Sequence, residues 1–174
     1  MSCLSLSLIL LFDNFALGIY AAFGAMLCDM NMSSQDVRLG YRIGKLALNL
    51  LNQNDSFLSE SPTVYAFYYG HIGILFEPIQ ACVDQHRKAY QLGMQLGNTS
   101  ISAIHKQYLI IRDIYATGKN LQDVKKEMEF DMMMAKHHDL KILGMKSQLH
   151  YEAVLNLIDG ELNLPRDPSR CGNI

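Results

Sequence analysis

The sequence predicts an all-α fold of antiparallel helix pairs stacked into a superhelical repeat array, on three observations. Apolar residues recur at three and four through most of the chain, the period of an amphipathic helix. Small residues recur at fixed offsets inside those segments: Gly70, Cys82 and Ala89 are 12 and then 7 apart, and Gly40 and Ala47 repeat the second interval 42 residues upstream. Small side chains let two helix backbones approach closely, and a fixed interval repeats that approach along an array. Composition agrees: four prolines and twelve glycines are too few for a loop-rich β fold, while ten methionines accompany many Leu, Ala, Gln and Lys, all good helix formers.

Taken in order, a short apolar stretch from Leu4 to Phe12 reads as a first helix. Asn14 to Met30 follows, with Phe15, Ile19, Ala22, Phe23, Met26 and Leu27 on a broad apolar face. A third helix starts near Gln35 and carries Val37, Tyr41, Leu48 and Leu51, and the polar stretch Asn52 to Ser59 reads as a loop. Ser61 before Pro62 resembles an N-cap with proline at the first helical position, opening a fourth helix to Leu75 rich in Tyr65, Phe67, Tyr68 and Tyr69. Glu77 and Pro78 open the fifth, which stops at Gly97-Asn98, a C-cap pattern. Thr99 or Ser100 starts the sixth, ended by Thr117-Gly118-Lys119-Asn120. Asn120 or a neighbour caps a seventh with Leu121, Val124, Met128, Met132 and Ala135 in register, and Leu140 to Ile158 forms the last. Short connections favour antiparallel neighbours. Residues 1–160 therefore read as a single helical-repeat domain and 161–174 as a C-terminal tail.

With 174 residues, 49% of them hydrophobic and 18% charged, the chain can bury a sizeable core and does not fit disorder. A net charge of -2 with scattered basic residues gives no nucleic-acid footprint. Cys3, Cys28, Cys82 and Cys171 lie far apart without a CxxC pair, which reads as reduced thiols in a cytoplasmic protein. Leu4 to Phe12 imitates a signal-peptide core, but no Lys or Arg precedes Arg38 and Asp13-Asn14 interrupt it. The run lacks a basic n-region and is far short of a membrane span. Asn-x-Ser triplets at Asn31, Asn54 and Asn98 fall where turns are expected.

Candidate chemistry is sparse. Gly40-Tyr41-Arg42-Ile43-Gly44-Lys45 imitates a phosphate loop, but the first glycine is one residue too close and Leu46 replaces the hydroxyl that would hold magnesium. Glycines where helices touch is the better account. His137 and His138 are adjacent and so diverge on a helix, while His71, His86, His105 and His150 are isolated; no metal-ligand spacing results. The nearby Met128, Met132, Met133 and Met134 read as adaptable core filler. Glu127, Glu129 and Asp131 read as a solvated face, and no Ser, His and Asp set has a nucleophile's context. No catalytic residue, cofactor-binding residue, cofactor or metal site is expected.

Four stretches carry a resemblance together: Gly40 to Leu51 (GYRIGKLALNLL), Tyr68 to Ile79 (YYGHIGILFEPI), Lys88 to Asn98 (KAYQLGMQLGN) and Tyr115 to Met128 (YATGKNLQDVKKEM). Their order and spacing, over roughly residues 15 to 160, resemble the tetratricopeptide-like helical segment of large multidomain signalling ATPases. In that family the segment follows a predicted NTPase module behind a kinase-like domain and precedes GAF and histidine-kinase modules. Phe76 stands near where relatives carry a tryptophan, and the ATPase and kinase signatures are missing, so none of those activities transfers. The resemblance implies a non-catalytic protein-interaction or interdomain scaffold in signal transduction, a fragment or relative of a larger ATPase/kinase protein. A small-ligand-sensing helical domain, with the aromatic fourth helix lining a pocket, is the alternative. The expected partner is a protein or a neighbouring domain of a larger signalling protein, not nucleic acid or membrane. Tyr65, Tyr69, His105, Tyr108 and Arg112 are the candidate contact residues on the concave face. The uncapped apolar N-terminus, Leu4 to Leu11, would add self-association.

Overall fold

A computed structural model of the chain describes residues 16–29 and 33–160. The expected first helix at Leu4 to Phe12, its role in self-association, and the tail 161–174 lie outside the described residues. Among the described residues the protein is all-α, with seven α-helices and no strand. They are α1 (Ala16–Asp29), α2 (Ser34–Gln53), α3 (Ser61–Phe67), α4 (Ile79–Gln95), α5 (Thr99–Thr117), α6 (Leu121–His137) and α7 (Lys141–Ile158). Among them no helix is long and apolar enough to cross a membrane.

Local chemistry sets most of the boundaries. Ser33 and Asp36 form a reciprocal capping box at the start of α2, which satisfies two amides the helix itself leaves unbonded. Asn120 Oδ1 accepts from the Gln122 amide at 2.8 Å to open α6, as its position in the sequence predicts. After α4 the chain turns at Gly97, whose φ of +72° is a left-handed conformation that a side chain disfavours. The Asn98 amide then donates to Gly93 O at 2.9 Å, closing a Schellman-type end. Asn54 and Asn98 accept amide hydrogen bonds from Ser56 and Ile101, so turn chemistry accounts for both.

Three expectations need correction. The stretch Asn52 to Ser59 is not a loop: α2 runs to Gln53 and Asp55–Glu60 winds as a 3-10 helix, its first turn secured by Asn54. Ser61 is not a cap, because its φ and ψ are already helical and its amide continues the preceding winding by donating to Leu58 O. Nor is the fourth helix uniform. α3 passes into a π-wound segment, Tyr68–Ile72, and then a 3-10 turn, Gly73–Leu75.

The chain divides into two compact units, with the boundary between Arg112 and Asp113 inside α5. In the first unit α1 and α2 form an antiparallel hairpin whose backbones nearly touch. A Cβ added at Gly40 would lie 2.6 Å from Gly24 O, and one at Gly24 would lie 2.7 Å from Gly40 O. Those positions exist because they carry no side chain. Leu17, Ala21, Ala47, Leu48, Val64, Tyr68, Ile72 and Cys82 make the core around the hairpin, with Tyr68 and Ile72 over the notch at Gly44. Each large side chain fully buried there contributes about 1.5–3 kcal/mol. Gly40, Ala47, Gly70, Cys82 and Ala89, the small residues at the fixed interval, are all buried.

In the second unit α6 and α7 form a hairpin over Val124, Met128, Ala135, Leu143 and Val154. Ser147 Oγ donates to the buried carboxylate of Asp131 at 2.9 Å, so Asp131, expected on a solvated face, belongs to the helix contact. Lys119 bonds Glu127 at 2.7 Å and lies 3.8 Å from Asp113. A cleft of about 380 Å³ opens at the hairpin tip between Met132 and Ala135 of α6 and Gly144 and Gln148 of α7.

Candidate functional site

The most connected polar chemistry lies in the first unit, where the π-wound end of α3 meets α4 and α5. In the π segment each amide reaches one residue further back, as Gly73 does to Tyr68 O, and such widened turns commonly mark functional sites. The Tyr69 carbonyl accepts from Arg112 Nη1 at 2.6 Å and the Gly70 carbonyl accepts from Nη2. A cation thus sits at the negative end of a helical segment, where the helix dipole favours it.

The same guanidinium donates to His86 Nε2 at 3.0 Å. His86 Nδ1 lies 2.8 Å from His105 Nδ1, and His105 Nε2 lies 2.8 Å from Pro62 O. One proton arrangement satisfies all of these contacts. A carbonyl only accepts, so His105 donates from Nε2 and its neutral Nδ1 is an acceptor. His86 must then donate from Nδ1, leaving its Nε2 to accept from Arg112. Both rings are 0% exposed and both are neutral. Burial pushes the pKa of His86 down to about 2, aided by His105 and Arg112, and burial pushes His105 down to about 4.

A second chain runs alongside. Asp29 Oδ2 accepts from His71 Nδ1 at 2.6 Å, and His71 Nε2 accepts from the Tyr108 hydroxyl at 2.8 Å. Tyr108 joins the two chains: its ring stacks on His86 at 4.7 Å, and Arg112 lies over it, Cζ 4.6 Å from the centroid. Carboxylate, imidazole and hydroxyl in this order are the parts that activate a nucleophile. Burial instead raises the Tyr108 pKa, which works against the phenolate, so the chain's effect is to fix the ring. Gly70 makes room for it, since a Cβ there would lie 3.0 Å from the Tyr108 hydroxyl.

Two further polar groups tie helices together. Glu77 Oε1 accepts from the Tyr68 hydroxyl at 2.7 Å and from Lys45 Nζ at 3.0 Å. Lys45, the lysine of the phosphate-loop imitation, therefore serves as a tie from α2, and the flanking Gly40 and Gly44 lie at helix contacts. Glu60 Oε2 accepts from the Gly18 amide at 3.1 Å near the start of α1. Burial raises the Glu60 pKa, and the amides of Gly18 and Leu17 oppose that rise.

Of the five candidate contact residues, Tyr69, His105, Tyr108 and Arg112 meet in this network, while Tyr65 packs edge-on to Tyr69 with centroids 5.5 Å apart. Their setting differs from the open concave face expected: Tyr69 is 8% exposed and His105 is 0% exposed. The aromatic fourth helix likewise turns Tyr68 and Tyr69 into the core. Sequence reasoning missed His86, His71 and Asp29. A signal for His86 was present, because Cys82, His86, Ala89 and Gly93 all lie on the buried face of α4, and a polar side chain on such a face must find partners. Compared with known protein-family models, curated proteins and solved structures, the chain matches none.

Proposed function

We propose that the chain is a non-catalytic helical scaffold that binds a protein partner or a neighbouring domain of a larger signalling protein, its helix pairs forming a tetratricopeptide-like array. The observation that carries this reading is α1. Its sequence, ALGIYAAFGAMLCD, has no charged residue before Asp29 and is apolar on every side, a composition that belongs inside a protein. Yet Ile19, Phe23 and Met26 are 66%, 46% and 45% exposed, and their spacing of four and three puts them on one face. An exposed apolar stripe of this kind marks an interaction surface. Glycine contacts hold the opposite face of α1 against α2, so the stripe stands on a rigid support. The side chains of His86, His105 and Arg112, by contrast, are bonded to one another and to backbone carbonyls.

The test is a double substitution, Ile19→Lys with Phe23→Lys. A polypeptide captured by crosslinking to the full chain is identified, purified and rebound. The variant is expected to keep its melting temperature and lose that binding at least about tenfold, the effect of removing a central apolar anchor. Unchanged binding would overturn the reading.

A further inference from the structure

We propose that the cleft at the tip of the α6–α7 hairpin binds a small amphipathic carboxylate, an apolar chain of about eight carbons ending in one anionic head. Its floor is apolar: Met132 and Ala135 of α6, Leu140 of the turn and Gly144 of α7. At about 380 Å³ it falls at the small end of small-molecule pockets, about 300–1,000 Å³. The turn holds it open. Asp139 adopts a left-handed φ of +53°, and the Asp139 and Leu140 amides donate to Lys136 O and Ala135 O at 3.3 and 2.8 Å. This Schellman-type closure fixes Leu140 as one wall.

Gly144 is the residue that the fold itself does not explain. Within a helix glycine is less favourable than alanine. At Gly24 and Gly40 close backbones require it, but a Cβ at Gly144 would meet only Ala135 Cβ at 3.8 Å, an ordinary contact. What the missing side chain supplies is depth in the cleft between α6 and α7. The rim sets the sign of the ligand. It carries Lys136 and Lys141 against one carboxylate, Asp139, which lies 3.7 Å from Lys141 Nζ. Lys136 makes no ion pair among the described residues and is the cation left for an anionic head. All of these residues belong to the second unit, so failure of this site leaves the α1 reading untouched.

Octanoate is the probe, titrated into the isotope-labelled full chain and followed by amide shifts. Saturable shifts are expected at Ala135, Gly144 and their neighbours, with a Kd of about 0.1–1 mM, the range open to a ligand of this size. Octanol and octylamine keep the chain but lose or reverse the charge, and are expected to bind at least about threefold more weakly. Lys136→Glu is expected to weaken octanoate by at least about the same factor. Gly144→Ala is expected to raise the melting temperature yet weaken octanoate at least about threefold, since one carbon is felt in a small apolar pocket. Loss of binding in a more stable protein cannot come from misfolding. Gly144→Leu, which fills the cleft, is expected to abolish binding while circular dichroism shows helicity kept. No saturable shift up to about 10 mM would overturn the inference. So would shifts centred on Ile19 and Phe23, octylamine bound as tightly as octanoate, or either Lys136→Glu or Gly144→Ala binding as the wild type does.

Discussion

His86 and His105 hold one proton between two nitrogens 2.8 Å apart, away from water, and that makes stability depend on pH. Both folded pKa values are depressed from 6.5, to about 2 and about 4. Above 6.5 the rings are neutral whether the chain is folded or not, and their contribution is complete. Below it the unfolded chain takes up protons that the folded chain refuses, so stability falls with pH until the folded values are reached. Each histidine contributes a slope of about 1.4 kcal/mol per pH unit within its window. Urea unfolding between pH 7 and pH 4 should show this loss, and His105→Gln should flatten the slope while lowering stability at pH 7. A variant slope equal to that of the wild type would contradict the neutral pair. Arg112 is the second lever. Arg112→Met leaves the Tyr69 and Gly70 carbonyls and His86 Nε2 without their donor, at a cost of about 2–4 kcal/mol. Arg112→Lys should recover only part of it, because an ammonium cannot reproduce the planar fork. These residues were only half legible. Tyr69, His105, Tyr108 and Arg112 were expected together as contacts on a concave face, but a sequence does not show that an arginine will take helix carbonyls as its partners.

At the scale of the elements, steric fit and helix propensity pull in opposite directions at glycine, and the structure says which wins. Alanine is favoured over glycine within a helix by about 1 kcal/mol. At Gly144 the added Cβ would meet only Ala135 Cβ at 3.8 Å, so Gly144→Ala should stabilise the chain by about 0.5–1 kcal/mol. At Gly40 the added Cβ would meet Gly24 O at 2.6 Å and Cys28 Sγ at 2.9 Å, and backbone cannot step aside. Gly40→Ala should therefore destabilise by about 1–3 kcal/mol despite its propensity, and thermal melts of the two variants should move in opposite directions. Helix ends were largely readable beforehand, because Asn120, Asn98 and the turn at Gly97 act on amides and carbonyls close to them in sequence. The π-wound segment was not. Its winding coincides with contacts from α5, where Tyr108 packs on Gly70 and Arg112 takes two carbonyls, all about 40 residues further along the chain. The Asp55–Glu60 turn was missed for a related reason: Asn and Ser are common to loops and to 3-10 turns alike.

For the whole molecule, the groups that hold the fold are distinct from the apolar stripe of α1 that we propose meets a partner. Polar side chains with the look of chemistry, from Asp29 through His71 and Tyr108 to Arg112, tie helices together. One face of α1 (Ile19, Phe23, Met26) and one of α7 (Ile142, Met145, Leu149) carry apolar side chains outward, while Leu17, Ala21, Leu143 and Val154 of the same helices are buried. The all-α class was legible because amphipathic periodicity is a local property repeated along the chain. The outward stripes were not, since α1 and α7 look like core helices until their neighbours are known. The most direct test of this division compares two variants in one assay, binding of the reconstituted partner at a temperature where both are folded. Phe23→Lys is predicted to keep its melting temperature and lose binding, and Arg112→Met to lose melting temperature and keep binding. The opposite pattern, with Arg112→Met as stable as the wild type but unable to bind, would mean that the buried network is itself the functional site.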